Sequence, residues 1–322
     1  MKTVDIILPV YNEEPGIALF HQELLKVLDT LSARYRFHLI YVVDRSKDRS
    51  FGVLKELALA AGNISVLHMS RRFGHQMSLV AGMDHARGDA VIMMDSDLQH
   101  PPELIPVLLE EFEKGHDVVH TVRQYADSAS FLKRFTSNLF YRFQNLLSPV
   151  DIPAGVADFR LISRKVVTSF QQNIREHNQF LRGLFQWIGF NATYVPFQCH
   201  ARAAGRTKYT LGRLLVFFSD GIVSFSRVPL RAAILIGLMM SALSGIYAAV
   251  LFLDFVFRGG FPRGYTSLII AILFVGGLQL ILMGVIGEYI GHIFDEVKAR
   301  PLYIVDELVG PTLNDQPSLS SL

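Results

Sequence analysis

The chain of 322 residues contains one cysteine, Cys199, and one tryptophan. A lone thiol closes no internal disulfide and builds no thiolate zinc site, so disulfide scaffolds and zinc-finger classes are excluded, and nothing points to an oxidising compartment. Charge is also scarce. Only 19% of residues are Asp, Glu, Lys or Arg, and 31 basic against 29 acidic residues leave a net charge of +2. No field of one sign is strong enough to argue for a nucleic-acid partner. No Gly-rich phosphate loop of the dinucleotide or P-loop type is present, so a helix N-terminus is not indicated as the grip on phosphate. Nor does the chain open with a basic stretch, an apolar stretch and a cleavage site: Thr3–Val10 is short and leads into Tyr11 and Asn12. No signal peptide is expected, and the N-terminal part is expected in the cytoplasm.

Apolar residues are abundant instead. They make up 50% of the chain, with a mean hydropathy of +0.30, too apolar for disorder, a collagenous chain or a plain cytosolic enzyme. The excess is local: Ala232–Leu253 and Tyr265–Gly287 carry no Asp, Glu, Lys or Arg. At about 1.5 Å per residue, each is long enough as a helix to cross a hydrocarbon core of about 30 Å. Asp254–Gly264, containing Gly259, Gly260, Pro262 and Gly264, reads as a tight turn between them. Two transmembrane helices at about 232–257 and 265–290 are expected within a segment 231–292, with a cytoplasmic tail at 293–322. Arg227, Arg231, Lys298 and Arg300, against Arg258 and Arg263 in the turn, agree with that orientation.

Residues 1–210 alternate. Short β-rich runs at Val4–Val10, Phe37–Val43, Ile64–Met69 and Ala90–Met94 are interleaved with helical patterns at Ile17–Leu31, Ser50–Ala61, Gln76–Ala86 and Pro102–Lys114. This predicts an α/β domain with a doubly wound, mostly parallel sheet, whose ligands sit beyond the carboxyl ends of the strands. Pro9, Tyr11 and Glu13, then Asp44, then Arg71 and Arg72, then Asp95 and Asp97 fall there. Asp95-Ser-Asp97 at a strand end could turn two carboxylates toward one divalent cation, which would neutralise a diphosphate; taken alone it could also be an ordinary turn. Asp44, with Ser46 and Asp48, fits either a cap on the helix near Ser50 or a contact to the base or ribose of a nucleotide. Phe135, Leu139, Phe143 and Leu147 recur every fourth residue behind Arg123, Lys133 and Arg134, and 211–230 is similarly basic and aromatic. Such stretches either pack on the sheet or lie on a membrane surface as juxtamembrane helices.

Pro9-Val-Tyr-Asn-Glu-Glu14, Asp44-x-Ser-Lys-Asp48, Arg71-Arg-Phe-Gly74, Asp95-Ser-Asp-Leu-Gln-His-Pro-Pro-Glu103, Gly155-x-x-Asp-Phe-Arg-Leu161, Gly205-x-Thr-Lys208 and Gly287-Glu-Tyr-Ile-Gly291 occur in this order. As a set they resemble the family 2, GT-A glycosyltransferases acting on polyprenyl phosphate, above all the bactoprenol glucosyltransferases, with the dolichyl-phosphate mannose synthases as more distant relatives. The resemblance implies a GT-A domain with a C-terminal transmembrane hairpin. It implies that Pro9, Tyr11, Glu13, Asp44 and Arg71 bind the nucleotide sugar and that Asp95, Asp97 and Gln99 hold Mg²⁺ or Mn²⁺. Asp158 matches the position of a catalytic base, Arg123, Lys133 and Ser137 match lipid-phosphate contacts, and Arg202 and Lys208 would close over the donor phosphates.

The implied reaction is inverting transfer of a sugar, glucose from UDP-glucose, onto undecaprenyl phosphate at the cytoplasmic face of the inner (plasma) membrane. Mannose from GDP-mannose or an amino-arabinose derivative would keep the chemistry; a non-catalytic membrane scaffold would abandon it. A processive polysaccharide synthase would need more than two spans. The implied partners are a nucleotide diphosphate sugar, a polyprenyl phosphate lipid and the membrane, with a homo-oligomer left open. The chain departs from the pattern at Val43, at Arg45 where the family has Gly, and at His75 and His177 in place of cations near the donor. Arg45 is expected in a loop conformation that an L-residue tolerates, pointing to solvent or a phosphate.

Overall fold

The structure is a computed structural model that describes residues 1–124, 153, 155–177, 179–198, 228–258 and 264–311. Its strands are β1 (Lys2–Val10), β2 (Tyr35–Val43), β3 (Ile64–Met69), β4 (Ala90–Met93), β5 (Val118–Gln124), β6 (Val156–Ser163), β7 (Ala192–Gln198) and β8 (Val305–Val309). Helices α1 (Ile17–Leu31), α2 (Ser50–Ala60), α3 (His75–His85) and α4 (Ile105–Glu113) follow β1 to β4 in turn. Next come α5 (Arg164–Asn173) and α6 (Leu181–Trp187) before β7, and α7 (Val228–Arg258) and α8 (Tyr265–Lys298) before β8. The first four strand–helix units match the sequence reading to within a residue or two. The fourth helix splits, with a 3₁₀ turn at Pro102–Leu104 ahead of α4, because Pro102 and Pro106 each withhold a backbone donor.

The sheet order is β7-β5-β6-β4-β1-β2-β3-β8. Its centre, β4-β1-β2-β3, is parallel, and β6 and β8 join it antiparallel. Both faces of the centre are covered, which is why Ile6, Ile7 and Leu8, and Leu39 to Val43, are uninterrupted apolar runs with no exposure. Ile17, Phe20, Leu24 and Leu28 of α1 recur at helical spacing and pack on one face; Leu79, Val80 and Met83 of α3 and Phe185 of α6 pack on the other. α3 lies so close to β1 that a Cβ at Gly82 would run into Ile7.

Two features differ from the sequence reading. α7 begins earlier than expected, at Val228, and ends at Arg258, in keeping with the expected bound near 257 and past the start of the expected turn at Asp254, and α8 runs past residue 290 to Lys298, ending on left-handed Ala299 before Pro301. Among the described residues one segment, Phe274–Lys298, is long and apolar enough to cross a membrane. The tail, in turn, is no mere appendage. β8 pairs with β3, Leu302, Tyr303 and Val305 pack against the core, and Asp306 and Glu307 meet Arg45 at 2.9 Å and Lys55 at 2.5 Å. A short strand with two charges gave no apolar run to read. Gly310 then closes the segment at φ +110, against the Ile64 carbonyl.

Candidate active site

The loops leaving β1 and β2 are laced together. Asn12 N–H donates to Ser46 Oγ (3.0 Å), Lys47 N–H to Asn12 Oδ1 (2.8 Å), Glu13 N–H to Ser50 Oγ (3.0 Å) and Glu14 N–H to Asp48 Oδ2 (3.0 Å). Asn12, Arg45 and Leu98, three of the four non-glycine residues with positive φ among those described, lie in the loops after β1, β2 and β4. Backbone held in this region concentrates where a binding surface is shaped. Pro9 carbonyl accepts the buried Ser96 hydroxyl at 2.8 Å, tying β1 to the acidic turn, and Arg72 lies 4.1 Å over the Tyr11 ring. Arg71 is exposed and stacks on Phe73 at 4.1 Å.

Asp44 does not cap α2. Its carboxylate, 4% exposed, accepts Phe73 N–H at 2.6 Å and Gly74 N–H at 2.9 Å, fixing the turn into α3, while Asp48 receives Ser50 N–H at 3.1 Å. Arg45 has φ +47: the left-handed conformation that favours glycine is kept rather than replaced, and the side chain reaches Asp306 on β8, not a phosphate site. His177 is also placed differently from the reading. Its backbone N–H and Nδ1 face the Glu296 carboxylate at 2.7 and 3.1 Å, and its Nε2 lies 2.7 Å from Arg300 carbonyl, so it fastens the end of α8 to the catalytic domain. The Glu296 contact raises its pKa.

Asp95, Asp97 and Gln99 lie in the bend after β4, just past the strand itself. Ser96 between the two acids turns inward to Pro9, and Gln99 Nε2 donates to Asp97 Oδ2 at 2.6 Å. Two carboxylates and an amide oxygen on one turn are hard donors that fit Mg²⁺ or Mn²⁺, with a diphosphate able to supply further oxygens. Buried His100 follows them. Its Nδ1 faces Asp95 N–H at 2.9 Å and its Nε2 faces Arg123 Nη2 at 3.1 Å. Burial lowers its pKa, against the carboxylates of Asp95, Asp97 and Asp158, so the ring is neutral; Arg123 also lowers it.

Asp158, on β6, is 6% exposed and sits among cations. Arg182 of α6 grips it with two hydrogen bonds, Nε to Oδ1 at 3.0 Å and Nη2 to Oδ2 at 2.8 Å, and Arg160 adds a third at 3.2 Å. Burial opposes the charge, but Arg182, His75 and Arg160 outweigh it and hold the carboxyl well below its usual range. A carboxylate so stabilised is a weak proton acceptor and a strong electrostatic organiser. His75 Nε2 stands between Asp95 Oδ1 (3.5 Å) and Asp158 Oδ2 (3.7 Å). Enclosure by protein opposes protonation of its ring, yet the two acids raise its pKa to about 9, making it a cation at neutral pH.

The structure thus places Pro9, Tyr11, Glu13, Asp44, Arg71, Asp95, Asp97 and Gln99 at or just past the carboxyl ends of the central strands, with Asp158 of β6 linked to Asp95 through His75 and Arg123 of β5 linked to it through His100. Lys133, Ser137, Arg202 and Lys208 lie outside the described residues, as do the basic-aromatic stretch 135–147 and the juxtamembrane residues 211–227. Arg182 and Arg160 were not singled out from sequence. Arg160 stood in the quoted Asp-Phe-Arg-Leu run, two positions from Asp158 on the same strand face, which is a readable signal; Arg182 carried none.

A mixed sheet with a parallel centre and an acidic turn after its fourth strand defines a GT-A-like glycosyltransferase domain. The model of glycosyl transferase family 2 matches residues 5–170, and that of the GtrB C-terminal hairpin matches residues 228–293. The chain belongs to glycosyl transferase family 2 and is a glycosyltransferase. An uncharacterized glycosyltransferase of Synechocystis sp. is 41% identical over 307 residues, 95% of this chain and 96% of that one. Another uncharacterized glycosyltransferase, from Bacillus subtilis, is 41% identical over 305 residues, 95% of this chain and 94% of that one. The bactoprenol glucosyl transferase of Shigella phage SfV is 38% identical over 302 residues, 94% of this chain and 97% of that one.

Proposed function

We propose that the protein transfers one sugar, glucose from UDP-glucose, to undecaprenyl phosphate at the cytoplasmic face of the plasma membrane, inverting the anomeric carbon. One observation supports the reading: the acidic turn and Arg123 converge on His100, so a cation-assisted diphosphate site and an anion-binding guanidinium would lie side by side. The bactoprenol glucosyl transferase relative, alike over both the catalytic domain and the hairpin, supports the acceptor class. Asp95, Asp97 and Gln99 would hold Mg²⁺ or Mn²⁺, which when bound supplies charge neutralisation to the departing diphosphate.

An oxygen of the acceptor phosphate attacks the anomeric carbon as the bond to the diphosphate breaks. The nucleophile is already an anion, so little proton removal is needed. The depressed pKa of Asp158 supports this division of labour: Asp158 orients Arg182 and His75 around the reacting groups rather than taking a proton. Arg123, with Lys133 and Ser137, receives the lipid phosphate. Pro9, Tyr11, Glu13, Asp44 and Arg71 line the nucleotide side, and Arg202 and Lys208 close over the donor phosphates. Two membrane-crossing helices, within 228–258 and 265–298, keep the cleft at the lipid surface. The test is incubation of the purified protein with Mg²⁺, polyprenyl phosphate and a panel of labelled nucleotide sugars. Labelled lipid from UDP-glucose alone supports the reading; label from another donor changes the sugar, and none from any donor removes the catalytic reading.

A further inference from the structure

His100 has no exposure, and its plane is fixed by stacking on Phe159 (centroids 5.2 Å apart) and an edge contact with Phe197 (5.9 Å). Each ring nitrogen faces a donor that can never accept: Asp95 backbone N–H at Nδ1 and the Arg123 guanidinium at Nε2. A neutral imidazole offers one lone pair on its ring nitrogens, and an imidazolium offers none. At most one of the two donors can therefore be satisfied by the ring at a time. The conflict is not relieved elsewhere, since Arg123 Nε is itself buried without a hydrogen-bond partner among the described residues.

From this contested lone pair we infer that His100 is a positioning residue coupling the donor and acceptor sites, so that each substrate tightens the binding of the other. The inference rests on the proposed roles of Arg123 and the acidic turn. In the tautomer with Nδ1 unprotonated, the ring anchors the Asp95 amide and turns an N–H toward Arg123. In the other, it accepts from Arg123 and turns an N–H toward the Asp95 amide, with Asp95 Oδ2 3.6 Å away. A phosphate that takes the Arg123 donors removes one claimant, leaving the lone pair to Asp95 and fixing the metal-binding turn. The anchored turn in turn frees Arg123 for an anion. The benefit is mutual because linkage is reciprocal.

The test uses the full-length protein in detergent, with UDP and Mn²⁺ as a donor-side probe that cannot react. UDP dissociation constants are measured by calorimetry with and without saturating undecaprenyl phosphate. In the unmodified protein the lipid should tighten UDP binding about fivefold or more. In H100F, which keeps the ring stack and lacks both nitrogens, the ratio should fall to about one. H100N, a polar variant whose amide can serve the Asp95 side but not Arg123, should behave alike even if H100F folds poorly. The ratio is the readout because a purely structural defect weakens both measurements together. Coupling retained in H100N, or absent in the unmodified protein while both ligands bind, overturns the inference. Failure of UDP or lipid to bind the unmodified protein instead overturns the functional reading beneath it.

Discussion

Replacing Arg182 by Met tests whether the buried carboxylate of Asp158 depends on the cation from α6. The substitution deletes hydrogen bonds of 3.0 and 2.8 Å to an acid that is 6% exposed, and leaves the 3.2 Å contact from Arg160 and His75 Nε2 at 3.7 Å. Removing one partner of a buried ion pair costs about 3–5 kcal/mol. Arg160 still compensates part of the charge, and water can reach the Arg182 position, whose side chain is 28% exposed, so about 2–3 kcal/mol is expected here. Trp187, the only tryptophan, is the last residue of α6, so its fluorescence in a urea titration of the detergent-solubilised protein follows the helix that carries Arg182. The difference should also depend on pH. Because the folded pKa of Asp158 is depressed, its stabilising contribution is full above the unfolded value near 3.8 and is lost as pH falls through the folded value. The gap between the two proteins should therefore narrow on acidification toward and through that range. An unchanged midpoint at neutral pH, or a gap that widens in acid, would refute the reasoning.

Asp97→Asn should abolish most turnover without altering the thermal melt, and EDTA should do the same to the unmodified enzyme until Mn²⁺ or Mg²⁺ is restored; full activity in chelator would remove the metal assignment. Arg123→Ala should raise the lipid concentration needed for half-maximal rate by roughly ten- to a hundredfold, the equivalent of about 1.5–3 kcal/mol for a lost charge-assisted contact. Calorimetry should show UDP binding alone weakened far less; equal losses would assign Arg123 to the donor or the fold. Arg45→Gly should leave donor affinity within about threefold, because the Arg45 side chain reaches Asp306 on β8 rather than a phosphate and its left-handed backbone, φ +47, is one that glycine also adopts. A tenfold gain in UDP affinity would show that residue 45 limits donor binding.

The four leading strand–helix units were legible because each announces itself locally: buried strands are short apolar runs, and α1 repeats its apolar positions every three or four residues. The acidic turn was legible as a pair of acids at a strand end, and its neighbours as motifs in a fixed order. What escaped the sequence is what depends on distant partners. Arg182 is one charge among many until α6 lays it against Asp158, 24 positions away. Asp44 could have been a cap on α2, and its actual backbone partners, Phe73 and Gly74, follow only from the packing of β2 beside β3. β8 was invisible because Val-Asp-Glu-Leu-Val alternates too briefly, and it becomes a strand only by borrowing the open edge of β3.

The β8–β3 pairing constrains where α7 and α8 leave the sheet. A chain that forms one sheet from strands on either side of α7 and α8 must cross any membrane between them an even number of times, which favours a hairpin over a single span. Val305 follows Lys298 by seven residues, so at about 3.3 Å per residue the sheet edge lies no more than roughly 23 Å from the end of α8. His177 on Glu296 and Tyr303 on Asp84 shorten that tether further. From β8 to β1 is three strand spacings, about 14 Å. The loops after β1 and β2 are thus held within roughly 37 Å of the point where α8 ends, and the Arg45–Asp306 pair joins the loop after β2 to the tether itself. An enzyme whose acceptor phosphate is confined to a lipid surface needs its cleft at a fixed height above that surface. On the function proposed above, the acceptor phosphate would lie at a lipid surface, and β8, which joins the sheet seven residues after α8 ends, would set the height of the site above it.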